Sequence, residues 1–302
     1  MVCSAPAQTL KRRHGRITGV KPPAFAYSAP ERLDDALRLL ADLGSDGKVL
    51  AGGQSLVPML NMRLVAPAHL VDINRLAELA TVEADQRGVR VGALARHSDV
   101  ERSAAAAEAL PLLRQALRQV AHPVIRNRGT AVGSIAHADP SAELPAVLSL
   151  VGGEVTAGSS SRTRTIAAAD LFLGPLETSL QPGEMLLSAY FPALPPGTRT
   201  AFVEVTRRHG DYAVCGVAVT LTRDDAGVVT QSRAAYVSMS DTPLVIDLAE
   251  ALVGGRASDA DVDAAGRLAT DRTQPDGDIH ATAEYRRHLA GVLTVRALRA
   301  AA

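Results

Sequence analysis

Two adjacent glycines, Gly52 and Gly53, interrupt an apolar run in the segment LAGGQSLVPML, which covers residues 50–60. Glycine weakens the interior of a strand or helix, so the pair predicts a turn between two regular elements. One interpretation is a tight turn that requires a positive φ angle. The other is an anion nest, in which successive backbone N–H groups and the Ser55 hydroxyl point at phosphate oxygens. The segment alone leaves both interpretations open.

A second stretch of small residues, RNRGTAVGSIAHADPSAE (126–143), again combines glycines with hydroxyl groups. Asp139 and Glu143 are suited to accept hydrogen bonds from ribose hydroxyls. With His137 they also form a loose metal-ligand pattern, which is the weaker interpretation. Neither stretch contains the GxGxxG motif of a Rossmann fold or the GxxxxGK[ST] motif of a phosphate-binding loop. Two such turns, about 80 residues apart, favour a long ligand with a central pyrophosphate.

The composition narrows the class of protein. A chain of 302 residues exceeds one small core and predicts two or three domains. Its 32 basic residues balance 32 acidic ones, which argues against a nucleic-acid partner. Its two cysteines, Cys3 and Cys215, exclude an all-cysteine iron–sulfur or zinc site within the chain. Cys215 lies in an apolar run, where we expect a buried and inert thiol.

The sequence shows no sign of a membrane segment or a secretion signal. No stretch approaches the ~20 apolar residues of a membrane span. The basic N-terminal segment is not followed by the apolar region of a signal peptide. We therefore expect a cytoplasmic protein whose residues 1–21 form a poorly ordered extension.

Apolar periodicity predicts an α+β organisation for the first two thirds of the chain. A helix is expected from the Ser28 cap to the Gly44 stop, followed by strands at 48–50 and 70–73. Further strands and helices are then expected, and their predicted ranges are 88–94, 153–157 and 183–192 for strands and 108–121 and 141–150 for helices. The proline-rich break at 192–197 predicts a domain boundary.

The last third has a different pattern. Three strand candidates, at 201–208, 212–223 and 228–239, precede three helical patterns. The helical patterns cover residues 242–255, 259–270 and 283–302. This order predicts an α+β domain with a three-stranded sheet and helices over 196–302.

The segments LAGGQSLVPMLNMRL and IRNRGTAVGSIAHADPSAELPA together resemble the FAD-binding medium subunit of the molybdenum hydroxylases. This family includes carbon monoxide dehydrogenase, bacterial nicotine and purine hydroxylases and the flavin domain of xanthine dehydrogenase. The resemblance extends from about residue 25 to the C-terminus. It implies a two-lobed FAD-binding fold of the vanillyl-alcohol-oxidase (PCMH) type over 22–195, followed by an α+β C-terminal domain over 196–302. The two lobes are expected at about 22–75 and 76–195.

The resemblance also implies which residues hold the cofactor. Residues 51–55, with Leu50 before them, correspond to one pyrophosphate loop and 130–134 to the second. Glu143 corresponds to an acidic residue near the ribose, Leu186 to a residue that packs on the flavin, and Tyr212 to a contact of the isoalloxazine ring. The implied FAD-binding residues are Leu50, Ala51, Gly52, Gly53, Gln54, Ser55, Leu56, Val120, Thr130, Ala131, Val132, Gly133, Ser134, Asp139, Glu143, Leu186, Asp211 and Tyr212. No catalytic side chain and no metal ligand is implied.

The chain departs from the family pattern at two positions. Val132 stands where the second loop usually has a glycine, so the backbone is expected to approach the phosphate less closely. Relatives often carry a lysine in the strand before RRHGD, where this chain has Val203 and Glu204. A cation there would stabilise reduced flavin, and Arg207 or Arg208 is the expected substitute.

The resemblance implies an electron-transfer subunit with non-covalent FAD. Its expected partners are a large molybdenum-cofactor subunit and a small subunit with two [2Fe–2S] clusters, assembled as a dimer of heterotrimers. The substrate and the final electron acceptor stay open. Alternatives are a stand-alone flavin oxidase or dehydrogenase of the same fold and a cofactor-free scaffold subunit. A nicotinamide-dependent dehydrogenase is disfavoured because the Rossmann motif is missing.

Overall fold

The computed structural model describes residues 21–302. The expected N-terminal extension therefore lies outside the described residues, apart from its last residue, Lys21. Within the described part of the chain, no helix is both long and apolar enough to cross a bilayer.

The first lobe is a small three-stranded parallel sheet with two helices. Its strands are β1 (Ala26–Ser28), β2 (Gly47–Leu50) and β3 (His69–Asp72), in the order β1-β3-β2. Helix α1 (Leu33–Leu43) connects β1 to β2, and α2 (Leu56–Asn61) follows the double glycine. Parallel neighbouring strands require such crossover connections. The glycine turn begins the connection from β2 to β3, so it lies at the carboxyl end of β2.

Helix α1 confirms the predicted period but begins later than expected. Leu37 and Leu40 are buried on one face, and Gly44, with φ 53°, ends the helix as predicted. Ser28 does not cap it. Its backbone pairs with β3, and its hydroxyl lies 2.9 Å from Nε2 of His69. Pairing with β3 therefore places Ser28 in a strand, although the sequence pattern predicted that Ser28 would cap the helix.

The second lobe is a five-stranded antiparallel sheet covered by short helices. The strand order is β4-β5-β10-β6-β7, and a separate two-stranded sheet contains β8 and β9. The strands are β4 (Val82–Asp85), β5 (Gly88–Gly92), β6 (Glu154–Gly158), β7 (Thr163–Ala167), β8 (Phe172–Gly174), β9 (Glu177–Thr178) and β10 (Met185–Pro192). The helices are α3 (His97–Arg102), α4 (Ala104–Ala109), α5 (Pro111–Leu117), α6 (Pro123–Arg126), α7 (Ala131–His137), α8 (Glu143–Leu150) and α9 (Ala168–Leu171).

Two helix predictions in this lobe were wrong in detail. The single helix expected over 108–121 is divided between α4 and α5 at Leu110, because Pro111 starts a new helix. The stretch expected to be a turn after Thr130 contains α7, whose small residues let it pack closely against the sheet.

The C-terminal domain has a four-stranded antiparallel sheet, one strand more than predicted. Its strands run in sequence order: β11 (Thr198–Thr206), β12 (Ala213–Arg223), β13 (Val229–Val237) and β14 (Leu244–Asp247). Strand β14 was expected to be the start of a helix. Its β-branched residues instead pair with β13, with Ile246 opposite Ala234.

Helices α10 (Ala249–Leu252), α11 (Asp259–Arg272) and α12 (Ala283–Ala301) complete this domain. They cover one face of its sheet and form a second core with it, which contains the buried Tyr236. The other face joins the first core, which is formed mainly by the two lobes, through residues such as Phe202 and Val237. Free Cys215 is buried, and burial raises its thiol pKa to about 12, so the prediction of an inert thiol is confirmed.

Candidate functional site

The first glycine loop has the conformation of a nest. Gly53 has a φ angle of 73°, in the left-handed region that glycine adopts without strain. Within residues 21–302, the backbone N–H groups of Gly53, Gln54 and Ser55 have no hydrogen-bond partner. The side-chain amide of Gln54 donates to the Gly52 carbonyl at 3.2 Å, and this hydrogen bond stabilises the turn. Three successive free donors are suited to an anion.

The two small-residue loops, far apart in sequence, pack against each other through their backbones. A Cβ added at Gly52 would lie 2.5 Å from the Arg128 carbonyl oxygen and 2.7 Å from the Gly129 Cα. It would lie 3.0 Å from the Thr130 nitrogen. These neighbours are main-chain atoms that cannot rotate away. Gly52 is therefore required for the loops to meet, and the structure brings together two parts of the predicted site.

The second loop is the start of a helix rather than a free turn. Thr130 is the N-cap of α7, and its hydroxyl accepts a hydrogen bond from the Gly133 N–H at 3.1 Å. The side chains of Ala131 and Val132 are buried in the first core. Val132 thus directs its isopropyl group away from the loop surface, and only its backbone is available there. Ser134 lies two residues after Val132 in the same helix.

A chain of hydrogen bonds that the sequence analysis missed connects the first lobe to the second loop. Tyr27 donates to Asp72 at 2.6 Å, and the Asn74 amide donates to the same carboxylate at 2.6 Å. The Asn74 amide also donates to the carbonyl of Ala51 at 2.8 Å. Arg96 donates to the Asn74 side-chain oxygen at 2.6 Å and to the Arg128 carbonyl. In the sequence, the polar residues directly after the buried strand LVDI could have indicated this hydrogen-bond network.

His97 contacts the second loop through its backbone and its ring. Its backbone N–H donates to the Gly129 carbonyl at 3.0 Å, and its ring is only 5% exposed. Burial, and then the charge of Arg126, lowers the pKa of His97 to about 4. Neither ring nitrogen has a partner among the described residues. The imidazole is therefore neutral at physiological pH and contacts the loop through its uncharged ring.

Two acidic residues of the predicted site, Asp139 and Glu143, lie close together in the sequence. Asp139 accepts a hydrogen bond from the Ser141 N–H at 2.8 Å, which shapes the turn before α8. Glu143 is the first residue of α8. Burial raises the pKa of Glu143 to about 7, against its own backbone N–H and with a further contribution from Asp139. Tyr212 lies nearby and is 68% exposed. Partial burial of its hydroxyl, followed by the charges of Asp139 and Glu143, raises its pKa.

Glu204, which with Val203 stands where the sequence resemblance leads us to expect a lysine, is a further acidic residue. Burial, and then the charge of Glu143, raises its pKa to about 8. Its Oε2 atom is buried and has no hydrogen-bond partner within residues 21–302. The expected substitutes for the lysine make other contacts: Arg207 lies 2.9 Å from His280, and Arg208 pairs with Asp211 at 3.5 Å.

The remaining predicted residues are apolar, and they lie at the ends of elements or in the first core. Leu50 ends β2, and Leu56 begins α2. Leu186 is 4% exposed, next to a bulge in β10, and Val120 is 8% exposed. The Val120 carbonyl accepts a hydrogen bond from the buried Arg126 at 2.9 Å. The side chains of Leu186 and Val120 belong to the first core.

Comparison with known proteins identifies the class that this fold and site define. The family described as the FAD binding domain in molybdopterin dehydrogenase matches residues 23–194. The family described as the CO dehydrogenase flavoprotein C-terminal domain matches residues 200–301. A curated relative, the 6-hydroxypseudooxynicotine dehydrogenase complex subunit alpha of Paenarthrobacter nicotinovorans, is 40% identical over 92% of this chain and 95% of its own length.

Solved structures agree with the sequence relatives. A chain of carbon monoxide dehydrogenase from Hydrogenophaga pseudoflava superposes with a TM-score of 0.87 and 38% identity, covering 93% of this chain and 98% of that chain. A chain of quinoline 2-oxidoreductase from Pseudomonas putida 86 gives a TM-score of 0.87 at 35% identity, with the same coverage of 93% and 98%. The protein belongs to the family of FAD-binding medium subunits of molybdenum hydroxylases, and the fold and family expected from the sequence are confirmed.

Proposed function

We propose that this chain takes electrons from [2Fe–2S] clusters of a small partner subunit and passes them from FAD to an external acceptor. The observation that carries the proposal is the packing of Gly52 against the second loop beside the free N–H groups of residues 53–55. These donors fit the pyrophosphate of FAD, whose oxygens are anionic acceptors.

The residues of the chain position the cofactor rather than react. The N–H groups of the first loop hold the pyrophosphate, and Asp139 and Glu143 bind near the ribose. Leu186 and Tyr212 contact the flavin ring, and the full set is the one implied by the sequence resemblance. When bound, FAD supplies the redox chemistry, and the protein supplies orientation and electrostatics. No side chain of this chain acts as acid, base or nucleophile.

Partners are required because this chain cannot carry the other redox centres. With two cysteines it lacks the ligands for two [2Fe–2S] clusters. We assign these clusters to a small subunit and the molybdenum cofactor to a large subunit that selects the substrate, assembled as a dimer of heterotrimers. The low cysteine content favours the cytoplasm as its compartment.

We divide the chain into an FAD-binding domain over 22–195, with lobes at about 22–75 and 76–195, and a C-terminal domain over 196–302. The two family matches, which cover 23–194 and 200–301, support this division.

The test is to purify the full chain alone and with its two partner chains. We expect absorption bands at about 370 and 450 nm that are released on denaturation, as for non-covalent flavin. We also expect a complex in which substrate reduces the clusters first and the flavin afterwards in rapid-mixing experiments.

Two results would contradict the proposal. A chain that stays colourless with added FAD would indicate a cofactor-free scaffold. A chain that oxidises an organic substrate without its partners would indicate a stand-alone flavin enzyme.

A further inference from the structure

Strand β11 places Glu204 at the interface between the two domains. Side chains alternate between the faces of a strand. Phe202 belongs to the core shared with the FAD-binding domain, whereas Val203 and Val205 pack against the second core. Glu204 therefore shares the face of Phe202 and points toward the FAD-binding domain. A carboxyl group at such an interface needs a partner or a proton.

The group that Glu204 meets there is another carboxyl. Glu143 starts α8, and the turn before this helix is held at the end of β13, where the Ser238 N–H donates to the Pro140 carbonyl at 2.9 Å. Val237, next to Ser238, pairs with Gly216, and Gly216 pairs with Glu204. The two glutamates therefore lie on elements that meet, and the charge of Glu143 contributes to the raised pKa of Glu204. Directly opposite Glu204 in the sheet is Gly216, which offers no side chain. Among residues 21–302, neither glutamate takes part in an ion pair, and the Glu204 Oε2 atom is buried without a partner.

The other charged groups near the pair do not neutralise it. Asp139, in the turn before α8, adds a third carboxylate, and Tyr212 contributes a phenol. The arginines at the end of β11 and beyond it are engaged elsewhere, Arg207 with His280 and Arg208 with Asp211. Two facing carboxyls in a partly buried site without a cation cannot both ionise at low cost, so one retains its proton.

We propose that Glu143 and Glu204 form a proton-binding carboxyl pair in the wall of the FAD site, and that FAD uptake is coupled to retention of one proton on this pair. The inference rests on the proposed position of FAD near Glu143. FAD carries a negatively charged pyrophosphate, so its arrival makes ionisation of the pair less favourable. By linkage, a proton on the pair makes FAD binding more favourable.

The direction of the pH dependence follows from the raised pKa values. Both carboxyls have an ordinary value of 4.5 and titrate in the folded chain at about 7 and about 8. Between the ordinary pKa of 4.5 and the raised values, the folded state therefore binds more protons than the unfolded state. The free energy of unfolding falls as the pH rises through this range. FAD affinity falls over the upper part of the same range, where the pair loses its last proton.

The experiment is isothermal titration of the full chain, freed of flavin, with FAD between pH 6.5 and 9. For the wild type we expect about a tenfold loss of affinity across this range. Titrations in buffers of different ionisation enthalpy should show net proton uptake on binding near pH 8. Glu204→Gln keeps the shape of the acid without its ionisation, so between pH 8 and 9, where Glu143 is already ionised, its affinity should change by less than about twofold.

Controls separate this inference from the proposed function. Glu83→Gln changes an exposed glutamate on β4 and should keep the wild-type pH profile. An infrared difference spectrum between pH 8 and pH 9 should show loss of a protonated-carboxyl band in the wild type but not in Glu204→Gln, in which Glu143 is already ionised. FAD binding that is tight but independent of pH, or equally pH-dependent in Glu204→Gln, would overturn the proton coupling alone. No FAD binding by the wild type at any pH would overturn the proposed function with it.

Discussion

Gly52 and Gly53 are adjacent but serve different physical purposes. A side chain at Gly52 would meet only main-chain atoms, at 2.5 to 3.0 Å. A side chain at Gly53 would meet the tips of Leu50 and Val57 at 3.2 Å, and these can adjust. The requirement at Gly53 is instead its φ angle of 73°, which costs other residues about 1–2 kcal/mol. The first glycine is needed for close approach, and the second for backbone conformation.

The first prediction concerns Gly52→Ala. Because the added methyl group would push the two loops apart, we expect most bound FAD to be lost and the free energy of unfolding to fall by about 1–3 kcal/mol. The measurements are flavin content per chain and chemical denaturation. Gly174→Ala is the matched control, since its nearest contact would be the Glu177 carboxylate at an ordinary 3.5 Å. Full flavin content in Gly52→Ala would show that backbone contact between the loops is not needed for binding.

At the scale of elements, α7 is the helix that forms the second loop. Its small residues predict turns by propensity, and it forms only because Thr130 caps it and Ala131, Val132 and Ile135 are buried. The β-bridge between Arg96 and Thr130 fixes where it begins. The helix start and the second small-residue loop are therefore the same structural feature.

Replacing Thr130 with valine should test this dependence. The variant loses the hydrogen bond from the Gly133 N–H, so we expect a loss of about 1 kcal/mol in the free energy of unfolding and clearly weaker FAD binding. Thr282→Val removes the equivalent cap of α12, far along the chain, and should cost similar stability at unchanged FAD affinity. Equal FAD affinity in both variants would mean that the cap of α7 serves stability only.

At the scale of the whole molecule, Arg96 joins the two lobes. It donates hydrogen bonds to Asn74, which lies beside the first loop, and to the Arg128 carbonyl at the second loop. Bonds from a charged donor contribute about 1.5–3 kcal/mol each, more than neutral hydrogen bonds. Arg96 therefore holds the loops at a fixed separation before any ligand arrives, which lowers the cost of binding.

We predict that Arg96→Met weakens FAD binding by about tenfold and lowers the free energy of unfolding by about 2 kcal/mol. Fluorescence titration with FAD and thermal unfolding measure the two effects. Arg87→Met is a suitable control because Arg87 is 86% exposed in its pair with Asp85. If Arg96→Met and Arg87→Met bound FAD equally well, preorganisation of the loops by Arg96 would be ruled out.

Local sequence patterns were enough to predict much of the fold. The double glycine, the small-residue stretch after Arg128, the apolar run of β12 and the helical pattern of α12 each depend on neighbours in the chain. Together the two loop motifs led to the family, which the comparisons confirm. Ser28 and the segment 244–247 were assigned wrongly, because pairing with β3 and β13 overrides local helix preference.

The sequence by itself therefore determined the fold class, the two loops and the family of this protein. Only the tertiary structure decided that the loops touch through Gly52, that Asn74 and Arg96 connect them, and that Glu204 shares the buried face of Phe202 on β11. The physical reason is the separation along the chain between the groups that interact. Turn chemistry and helical period act between residues a few positions apart, whereas backbone contact and the charge on a buried carboxyl depend on groups brought together only when the domains pack.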